Sequence, residues 1–503
     1  MRSAAILFAG VGIVALVGCT VGPDYKGPAE MAPVAAKAAA FHRAAVAPVT
    51  AAAPAARWWE ALNDPLLTGL IDTALSRSPT VRQAEARLRA GRATVNERRA
   101  GLLPQGSATA LAGRGRISTG DLSSLMGGGG ATGVDLDLYT AGFDAVWEID
   151  LFGGTRRGIE NARDQAEAQE AQLADIQVQL AADVAQAYVG LRDAQRREAL
   201  LRRTGEIEQH MLDLTRQRRD LGTASQADVE RLDTQLNQIE AAIAPLQAQA
   251  EAGLDQLAVL TAAEPGQLDA ALSGPGALPL PPASVPIGDP AAMLRRRPDI
   301  RGAERLLAAS NAQIGQAVAQ FFPTVSLAGT VGFASTNASR LFTGASVADL
   351  GGAGLSWGIF NFGRTSARVH EAEAGNEAAL AQYQGTVLAA LRDAETALSR
   401  YGRQRETVMR LAAAEASAAR AAALTRQRQQ EGSASLIDAL DTERQRVQTE
   451  QSLAQAEAML TNDYVSLQKA LGLGWDAPGG TGAVAADARP GGGERTSRDG
   501  EGR

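Results

Sequence analysis

The sequence predicts a mainly α-helical fold with membrane β-strands, arranged as a duplicated repeat. One short motif occurs twice, as "LGTASQADVE" at 221–230 and "EGSASLIDAL" at 431–440, which are 210 positions apart. Each copy interrupts a long, proline-poor stretch whose apolar residues recur at helical spacing. Gly-rich segments with alternating apolar and polar residues precede these stretches, a pattern typical of strands joined in hairpins.

The two halves of the chain match each other on either side of a proline-rich linker. Residues 78–105 align with 297–324 at an offset of 219, whereas "WEIDLFGGT" from Trp147 aligns with "WGIFNFGRT" from Trp357 at an offset of 210. The first half therefore has nine extra residues before Trp147. Because duplicated folds commonly diverge by a length change in one loop, we interpret the chain as a tandem repeat.

The duplication sets the predicted domain boundaries. Each repeat is expected to contain a helix, a β-hairpin, a long helix and a return helix. The predicted segments are the first repeat 58–262, with hairpin 105–152, long helix 155–221 and return helix 225–262; the equatorial linker 263–290; and the second repeat 291–475, with hairpin 324–362, long helix 364–431 and return helix 435–472.

Helical periodicity is strongest after each predicted hairpin. Apolar residues form a coiled-coil seam at Leu173, Ile176, Leu180, Val184, Ala187 and Leu191. A continuous helix over 155–221 would be about 100 Å long at a rise of 1.5 Å per residue. Pro245 interrupts the return helix, and we expect it to kink that helix.

The repeated motif has the residues that a tight turn between two helices needs. Glycine at 222 and 432 suits a left-handed residue that ends one helix. Ser225 and Ser435 suit the N-cap of the next helix. We therefore expect each motif to form the tip of a long helical hairpin.

Alternation predicts two strands in each repeat. In the first hairpin Asp135 and Asp137 alternate with Val134, Leu136 and Leu138. If these strands cross a membrane, we expect the two aspartates to face water inside a barrel and the three aliphatic residues to face lipid. Further apolar residues at alternate positions are Phe143, Ala145, Trp147, Ile149, Leu151, Val325, Leu327, Val331 and Phe333.

Four strands per chain cannot form a closed membrane barrel by themselves. Four strands leave two open edges, and each unpaired backbone group in lipid costs several kcal/mol. Several chains must then share one barrel. Two chains would close at eight strands with little lumen, whereas three would close at twelve.

Composition argues against several classes of function. Net charge is −7 with both signs interspersed, so no basic face indicates nucleic acid as a partner. The three histidines, His42, His210 and His370, are scattered and form no ligand or catalytic cluster. We therefore expect no enzyme activity, no metal site and no cofactor.

The amino terminus indicates export and lipidation. Residues 1–18 contain a basic Arg2 and an apolar run that is shorter than the roughly 20 residues of a membrane span. The string "LVGC" resembles a lipoprotein signal, which implies cleavage before Cys19 and covalent lipid on that residue. Thr20 in place of aspartate implies sorting to the outer membrane. The alternative is a plain signal peptide with an incidental cysteine.

Two segments have no folded pattern. Residues 19–57 are rich in Pro and Ala, and we expect a lipid-anchored, extended tether. Residues 476–503 are rich in Gly and charge, and we expect a disordered tail.

Several motifs resemble the outer-membrane efflux protein family (TolC-like), most closely its NodT/OprM-like lipoprotein branch. They are "GCTVGPDY", "WWEALNDPLLTGLIDTAL", "RRRPDIRGAE", "WEIDLFG" and "WGIFNFG". The resemblance implies a homotrimer with a twelve-stranded transmembrane barrel above a long periplasmic α-helical coiled-coil tunnel. It also implies passive efflux of drugs or other small molecules, with a periplasmic adaptor and an inner-membrane resistance-nodulation-division transporter as partners.

Other functions of the same fold stay open at this point. One alternative is metal-ion export, and another is type I protein secretion. A more distant one is a periplasmic coiled-coil scaffold lipoprotein.

The resemblance also assigns roles to the repeated turns, which meet the adaptor in this family. The expected docking residues are Gly222, Thr223, Ser225, Gly432, Ser433 and Ser435. The alternative is that these residues act as helix caps alone.

A second expected site follows the second turn. Ile437, Asp441 and Arg444 share one helical face, and matching positions form the periplasmic constriction in the resembling proteins. We hypothesise that pairing of Asp441 with Arg444 keeps this constriction shut. The alternative is an ordinary solvated helix pair. The first repeat has different residues there, namely Ala227, Arg231 and Thr234.

Overall fold

A computed structural model describes residues 20–28, 31–118, 133–274 and 276–475. The described residues form ten α-helices: α1 Pro33–Lys37, α2 Pro65–Arg77, α3 Pro79–Ala100, α4 Gly154–Asp220, α5 Gln226–Leu260, α6 Asp269–Leu272, α7 Pro290–Arg296, α8 Pro298–Ala319, α9 Arg364–Gln430 and α10 Leu436–Ala470. The strands are β1 Val49–Thr50, β2 Gln105–Ser118, β3 Gly133–Ile149, β4 Val285–Pro286, β5 Thr324–Ser335 and β6 Val347–Ser356.

The long helices have the same length in both repeats. α4 and α9 contain 67 residues each, and the return helices α5 and α10 contain 35 each. These bounds agree with the predicted helices to within one or two residues. α5 runs through Pro245 as one continuous helix. At 1.5 Å per residue, each turn therefore lies about 100 Å from the sheet.

The four long strands form one antiparallel sheet in the order β2-β3-β5-β6. Among the described residues, β2 and β6 are therefore its edges. One face of this sheet is mainly apolar over the height of β5 and β6, with Asp349 opposite Val331 as the charged exception. Its larger apolar residues are Phe143, Trp147, Ile149, Val325, Leu327, Val331, Phe333, Val347 and Leu355.

The register corrects the expected orientation of the aspartates. β3 pairs with β5 residue by residue as far as Tyr139, opposite Ser335, without an inserted residue. Because alternate residues share a face, Asp137 lies on the same face as Phe143 and Trp147, which argues against its expected inward orientation. Arg114 donates two hydrogen bonds to its carboxylate, at 2.6 and 2.9 Å. β5 ends below this level, so the charged pair lies beyond the four-stranded part of the sheet.

The second hairpin is shorter than predicted. It was expected to extend to residue 362, but β6 ends at Ser356, whereas its counterpart β3 continues to Ile149. β3 lies between two strands, and its last residues pair with β5. The corresponding residues 357–359 are at the sheet edge and have no such partner among the described residues.

The expected tether is also wrong for residues 20–28 and 31–57, which pack onto the body of the protein. β1 pairs in parallel with β4 of the equatorial linker, and Phe41 is only 4% exposed within the main core. The buried guanidinium of Arg157 binds Asp24 at 2.6 Å. Pro- and Ala-rich composition did not reveal these contacts, because every partner is distant in sequence.

The main hydrophobic core lies at the equatorial level, where both repeats and the two Pro-rich segments meet. Trp58 packs edge-to-face against Trp59 and Tyr464 at centroid distances of 5.6 and 5.9 Å. A second apolar cluster lies near the turns and joins α4, α5 and α10. Within the described parts of the chain, no helix is both long and apolar enough to cross a membrane.

Candidate functional site: the helix tips and an adjacent charged cluster

The first turn closes α4 with a Schellman-type C-cap. Gly222 adopts φ +74°, and its N–H donates to the Arg219 carbonyl at 2.8 Å. The Thr223 N–H donates to the Arg218 carbonyl at 2.7 Å, and the Thr223 hydroxyl donates to the same oxygen at 3.0 Å. These bonds satisfy carbonyls that the helix end leaves free, and a left-handed residue is needed to form them.

The second turn repeats this arrangement. Gly432 adopts φ +75°, and its N–H donates to the Gln429 carbonyl at 3.0 Å. The Ser433 N–H donates to the Arg428 carbonyl at 2.8 Å, and the Ser433 hydroxyl does so at 3.1 Å. Thr223 and Ser433 thus make equivalent hydrogen bonds in the two turns.

Each return helix starts with a capping box. The Asp438 N–H donates to the Ser435 Oγ at 3.1 Å, while the Ser435 N–H donates to the Asp438 carboxylate at 3.0 Å. Ser225 and Asp228 form the same reciprocal pair. Hydrogen bonds from the serine lower the pKa of both aspartates below the usual value. Two rigid caps therefore hold each tip in one conformation.

The tips present an open, small-residue surface. Gly222 and Gly432 are exposed, and a Cβ added to either would meet no atom of the described residues within 4 Å. Leu221 and Leu436 are exposed apolar side chains beside them. The six residues expected to dock a partner therefore all lie in these two turns, and all six also form the caps through their side chains or backbones.

The structure brings the three expected constriction residues together on α10. The Arg444 Nη2 donates to the Asp441 Oδ1 at 2.6 Å. Ile437 is partly buried and packs with Leu440 against the apolar cluster near the tips. The predicted pairing of Asp441 with Arg444 is therefore present within one chain.

Sequence reasoning missed Glu208, the third member of this charged cluster. Its carboxylate lies on α4, 3.6 Å from the Arg444 Nη1. Glu208 is 0% exposed, and among the described residues neither of its carboxylate oxygens has a hydrogen-bond partner. Burial raises its pKa, whereas the charge of Arg444 opposes the rise. Asp441 on α10 and Arg231 on α5 are the other charged groups that face it.

The sequence did contain a signal for this residue. Buried residues of α4 near the tip follow a helical stripe at Thr204, Ile207, Glu208, Met211, Leu212 and Thr215. An acidic residue within such a stripe is rarely buried without a counter-charge. The position of that counter-charge on α10 is not readable from local sequence.

A second ionic cluster connects three long helices at nearly the same level. The buried carboxylate of Glu443 on α10 accepts from Arg203 of α4 at 2.6 Å and from Arg426 of α9 at 3.4 Å. Arg446 on the same helix also donates to it, at 3.0 Å. The hydrogen bond from Arg446 lowers the pKa of Glu443.

The amino-terminal segment is fixed where the sheet meets the long helices. Val21 N–H donates to the Phe152 carbonyl at 3.1 Å, and Thr20 contacts Gly153, at which an added Cβ would lie 2.9 Å from the Thr20 Cα. The expected lipid-bearing Cys19 and the segments 1–18 and 476–503 lie outside the described residues.

Comparison with known proteins gives one consistent family. A family model described as "Outer membrane efflux protein" matches residues 70–263 and 290–473. The outer membrane protein OprJ of Pseudomonas aeruginosa is 31% identical over 469 residues, covering 92% of this chain and 94% of its own. The toluene efflux pump outer membrane protein TtgC of Pseudomonas putida is 30% identical over 473 residues, covering 92% and 93%.

Solved structures give the same result. The outer-membrane channel OprN has a TM-score of 0.81 and 36% identity, covering 90% of this chain and 99% of its own. The open state of the MtrE outer membrane channel of Neisseria gonorrhoeae has a TM-score of 0.75 and 27% identity, covering 91% and 98%.

Proposed function

Because the chain belongs to the outer membrane efflux protein family, we propose that it is the outer-membrane channel of a tripartite efflux pump. In this proposal it acts as a passive homotrimeric conduit that exports drugs, solvents or similar small molecules. Relatives named for toluene, solvent and antibiotic efflux support that cargo class. A conduit of this kind needs neither a catalytic group nor a cofactor.

The open sheet above two long helical hairpins carries the proposal. β2 and β6 each leave a row of backbone groups unpaired within the described chain, and lipid offers such groups no partner. Three copies would supply twelve strands, enough for a lumen. The apolar face of the sheet would then meet lipid, and α4, α5, α9 and α10 would form the wall of a tunnel in the periplasm.

The proposal is tested by purifying the lipoprotein and measuring its mass and conductance. Light scattering in detergent is expected to give a trimer, and planar bilayers are expected to show discrete, stable current steps. Deletion of the gene is expected to raise the accumulation of a fluorescent drug in cells. A single subunit in detergent that carries no current would contradict the proposal.

We assign the tips to docking of the periplasmic adaptor, which in turn connects to a resistance-nodulation-division transporter. The exposed backbone of each Gly-Ser/Thr turn lets another helical hairpin approach closely, and the caps keep the turn rigid. Leu436→Glu tests this, since an acidic residue at the helix start is compatible with the cap. Adaptor affinity is expected to fall, while Leu424→Glu, a change at another exposed leucine on α9, should leave it unchanged. Equal affinity for both variants would refute docking at the tips.

The charged cluster on α10 is the proposed periplasmic gate. Three copies would bring three Asp441 carboxylates together near the axis, which is unfavourable unless they are paired or hydrated. Arg444 neutralises the Asp441 carboxylate of its own chain and so allows the tips to close. When the adaptor docks, Asp441 and Arg444 exchange partners and the tips open. Asp441→Ala is expected to change the single-channel conductance. The control is Asp213→Ala, which breaks an exposed pair with Arg216 at the same i, i+3 spacing; an unchanged conductance for Asp441→Ala would exclude the gate.

The lipid anchor belongs to the same proposal. Thr20 and Val21 are held at the junction of the sheet and the long helices, so acyl chains on the preceding Cys19 would enter the membrane beside the base of the barrel. Incorporation of labelled palmitate is expected for the wild-type chain and not for Cys19→Ala. Labelling of both would contradict the assignment.

A further inference from the structure

We propose that the contact between the two repeats inside one chain recurs between chains, and that it fixes the register of the seam: Gly352 on β6 of one copy lies opposite Gly113 on β2 of the next. This inference rests on the proposed trimer and goes beyond it, since it assigns the residues that meet. The occupant of each open sheet edge is a second copy of this chain.

The strands of the two hairpins pair in the same register, so a contact made by one repeat can be assigned to the equivalent residues of the other. Gln105 lies opposite Val146 in the first hairpin, and Thr324 lies opposite Ser356 in the second. The sequence offsets of 219 and 210 convert the first pair into the second. Both hairpins therefore have the same pairing, and the offsets relate strands as well as sequence.

β6 is the counterpart of β3, and β2 is the counterpart of β5. The contact of β3 with β5 within one chain is therefore equivalent to a contact of β6 with β2 of the next copy. Gly142 lies opposite Gly332 within the chain, and an added Cβ at Gly332 would lie 2.5 Å from the Gly142 Cα. Glycine is therefore required on both strands. The corresponding residues are Gly352 and Gly113, where an added Cβ meets no atom of the described chain within 4 Å. If β6 of one copy pairs with β2 of the next, the same close contact forms there, and it requires glycine at both positions.

The base of the sheet supplies a second match. Phe152 stacks on Phe322 at a centroid distance of 4.6 Å. The offsets convert this pair into Phe362 of one copy and Leu103 of the next. Phe362 is fully exposed and Leu103 is 64% exposed in the single chain. The seam covers both, and it gives residues 357–359 the strand partner that they lack.

The first turn of the long helices supplies a third match. An added Cβ at Gly158 on α4 would lie 3.7 Å from the Gln316 Oε1 on α8. The corresponding residues are Arg368 on α9 and Glu97 on α3, so that a neutral contact inside the chain becomes a pair of opposite charges between copies. Arg368 donates to the Gln320 Oε1 at 2.7 Å, which holds its guanidinium at this end of α9, and Glu97 is exposed.

Disulfide formation between paired cysteines tests the register. The inner pair Phe143 and Val331 converts into Ala353 and Ala112, two small residues on the apolar face. The double variant Ala112→Cys/Ala353→Cys is expected to form a covalent trimer under mild oxidation, as seen on a non-reducing denaturing gel. The slipped pair Ala110→Cys/Ala353→Cys and both single variants should stay monomeric on the same gel. Cross-linking of the slipped pair instead would overturn the register.

Charge reversal provides a second test. The wild type is expected to run as a heat-resistant trimer on a denaturing gel. Arg368→Glu is expected to lose this trimer band, and Arg368→Glu/Glu97→Arg is expected to regain it. Failure of the double variant to regain the band would refute this pair. The trimer proposed above is judged separately by light scattering of the wild type, because a single subunit there refutes the trimer. A trimer that cross-links only in another register refutes the seam alone.

Discussion

Glu208→Gln is expected to stabilise the packing of α4 against α10 near the tips at neutral pH. The wild-type carboxylate is fully buried, and neither oxygen has a hydrogen-bond partner in the part of the chain that the structure describes. Its nearest cation, the Arg444 Nη1, lies 3.6 Å away, beyond hydrogen-bond distance. The Arg444 side chain is 32% exposed and also binds Asp441 at 2.6 Å, so it compensates the buried charge only in part.

The magnitude follows from these contacts. A buried acceptor without a partner costs about 1–3 kcal/mol, and a charged one costs more. Glutamine keeps the volume and still leaves a polar group without a partner, so it removes only the additional cost of the charge. Arg444 already offsets part of that additional cost, so we expect a gain of about 1 kcal/mol. That gain corresponds to a change of about 5-fold in the local opening equilibrium.

The pH dependence has a definite sign. Burial raises the pKa of Glu208 above its ordinary value of 4.5, so the packed state binds a proton more tightly than an opened one. This contribution to stability is complete below the ordinary pKa, and it is lost as pH rises through the raised pKa. Wild-type tips should therefore be more stable at mildly acidic pH than at neutral pH, and Glu208→Gln should remove that difference.

Hydrogen exchange over residues 204–215, measured by mass spectrometry, is the appropriate assay. Glu206→Gln is the matched control, because Glu206 lies on the same helix, carries the same charge and is exposed. Comparing the two variants at each pH cancels the intrinsic pH dependence of exchange. A loss of protection of about 3–5 kcal/mol in Glu208→Gln would refute the reasoning, since that is the effect of breaking a net stabilising buried ion pair.

Two further predictions concern the tips and the amino-terminal segment. Ser435→Ala removes the cap of α10 and should lower the local stability of the tip by about 0.5–2 kcal/mol, measured as faster hydrogen exchange; unchanged exchange would contradict the role of the capping box. Gly402→Ala should release the amino-terminal segment to protease, because the added Cβ would lie 2.5 Å from the Val46 carbonyl oxygen. Gly385→Ala on the same helix meets no atom within 4 Å, and it should leave cleavage unchanged.

What could be predicted from the sequence was mainly what is local. Gly222 and Ser225 identified a helix end and a helix start, because caps depend on residues within one turn of the chain. The long helices followed from periodicity and the absence of a break. The resemblance to the family pointed to Asp441 and Arg444, and their pairing could be predicted because the two are three positions apart on one helix.

What the sequence did not reveal depends on distant contacts. Two alternating patterns of opposite phase occur in β3, and only the register with β5 shows that Asp137 shares a face with Phe143. The amino-terminal segment has no periodic pattern, yet Asp24 binds Arg157 and β1 pairs with β4. Glu208 lies far from Arg444 in sequence, so its partner emerges only from the packing of α4 on α10.

The ion pairs also show which helix interface near the tips should separate when the tunnel opens. Within one chain α4 and α10 are joined by Arg196 with Glu457 at 2.8 Å, Arg203 with Glu443 at 2.6 Å and Arg444 with Glu208 at 3.6 Å. Residues of α4 have counterparts 210 positions later on α9, and residues of α10 have counterparts 210 positions earlier on α5. These counterparts would face each other between copies. Those residues are Glu406 with Gln247, Ala413 with Asp233 and Ala418 with Thr234.

The interface of α9 with α5 of the next copy therefore has no cation at the positions equivalent to Arg196, Arg203 and Arg444. A movement of the tips should break the weaker interface first, so α9 of one copy should separate from α5 of the next while α4 and α10 stay joined. A short cross-link between Ala413→Cys and Asp233→Cys is expected to join neighbouring copies and hold the channel at low conductance. The corresponding cross-link between Arg203→Cys and Glu443→Cys lies within one chain and should leave opening intact. The reverse result would show that opening separates the helices within the chain.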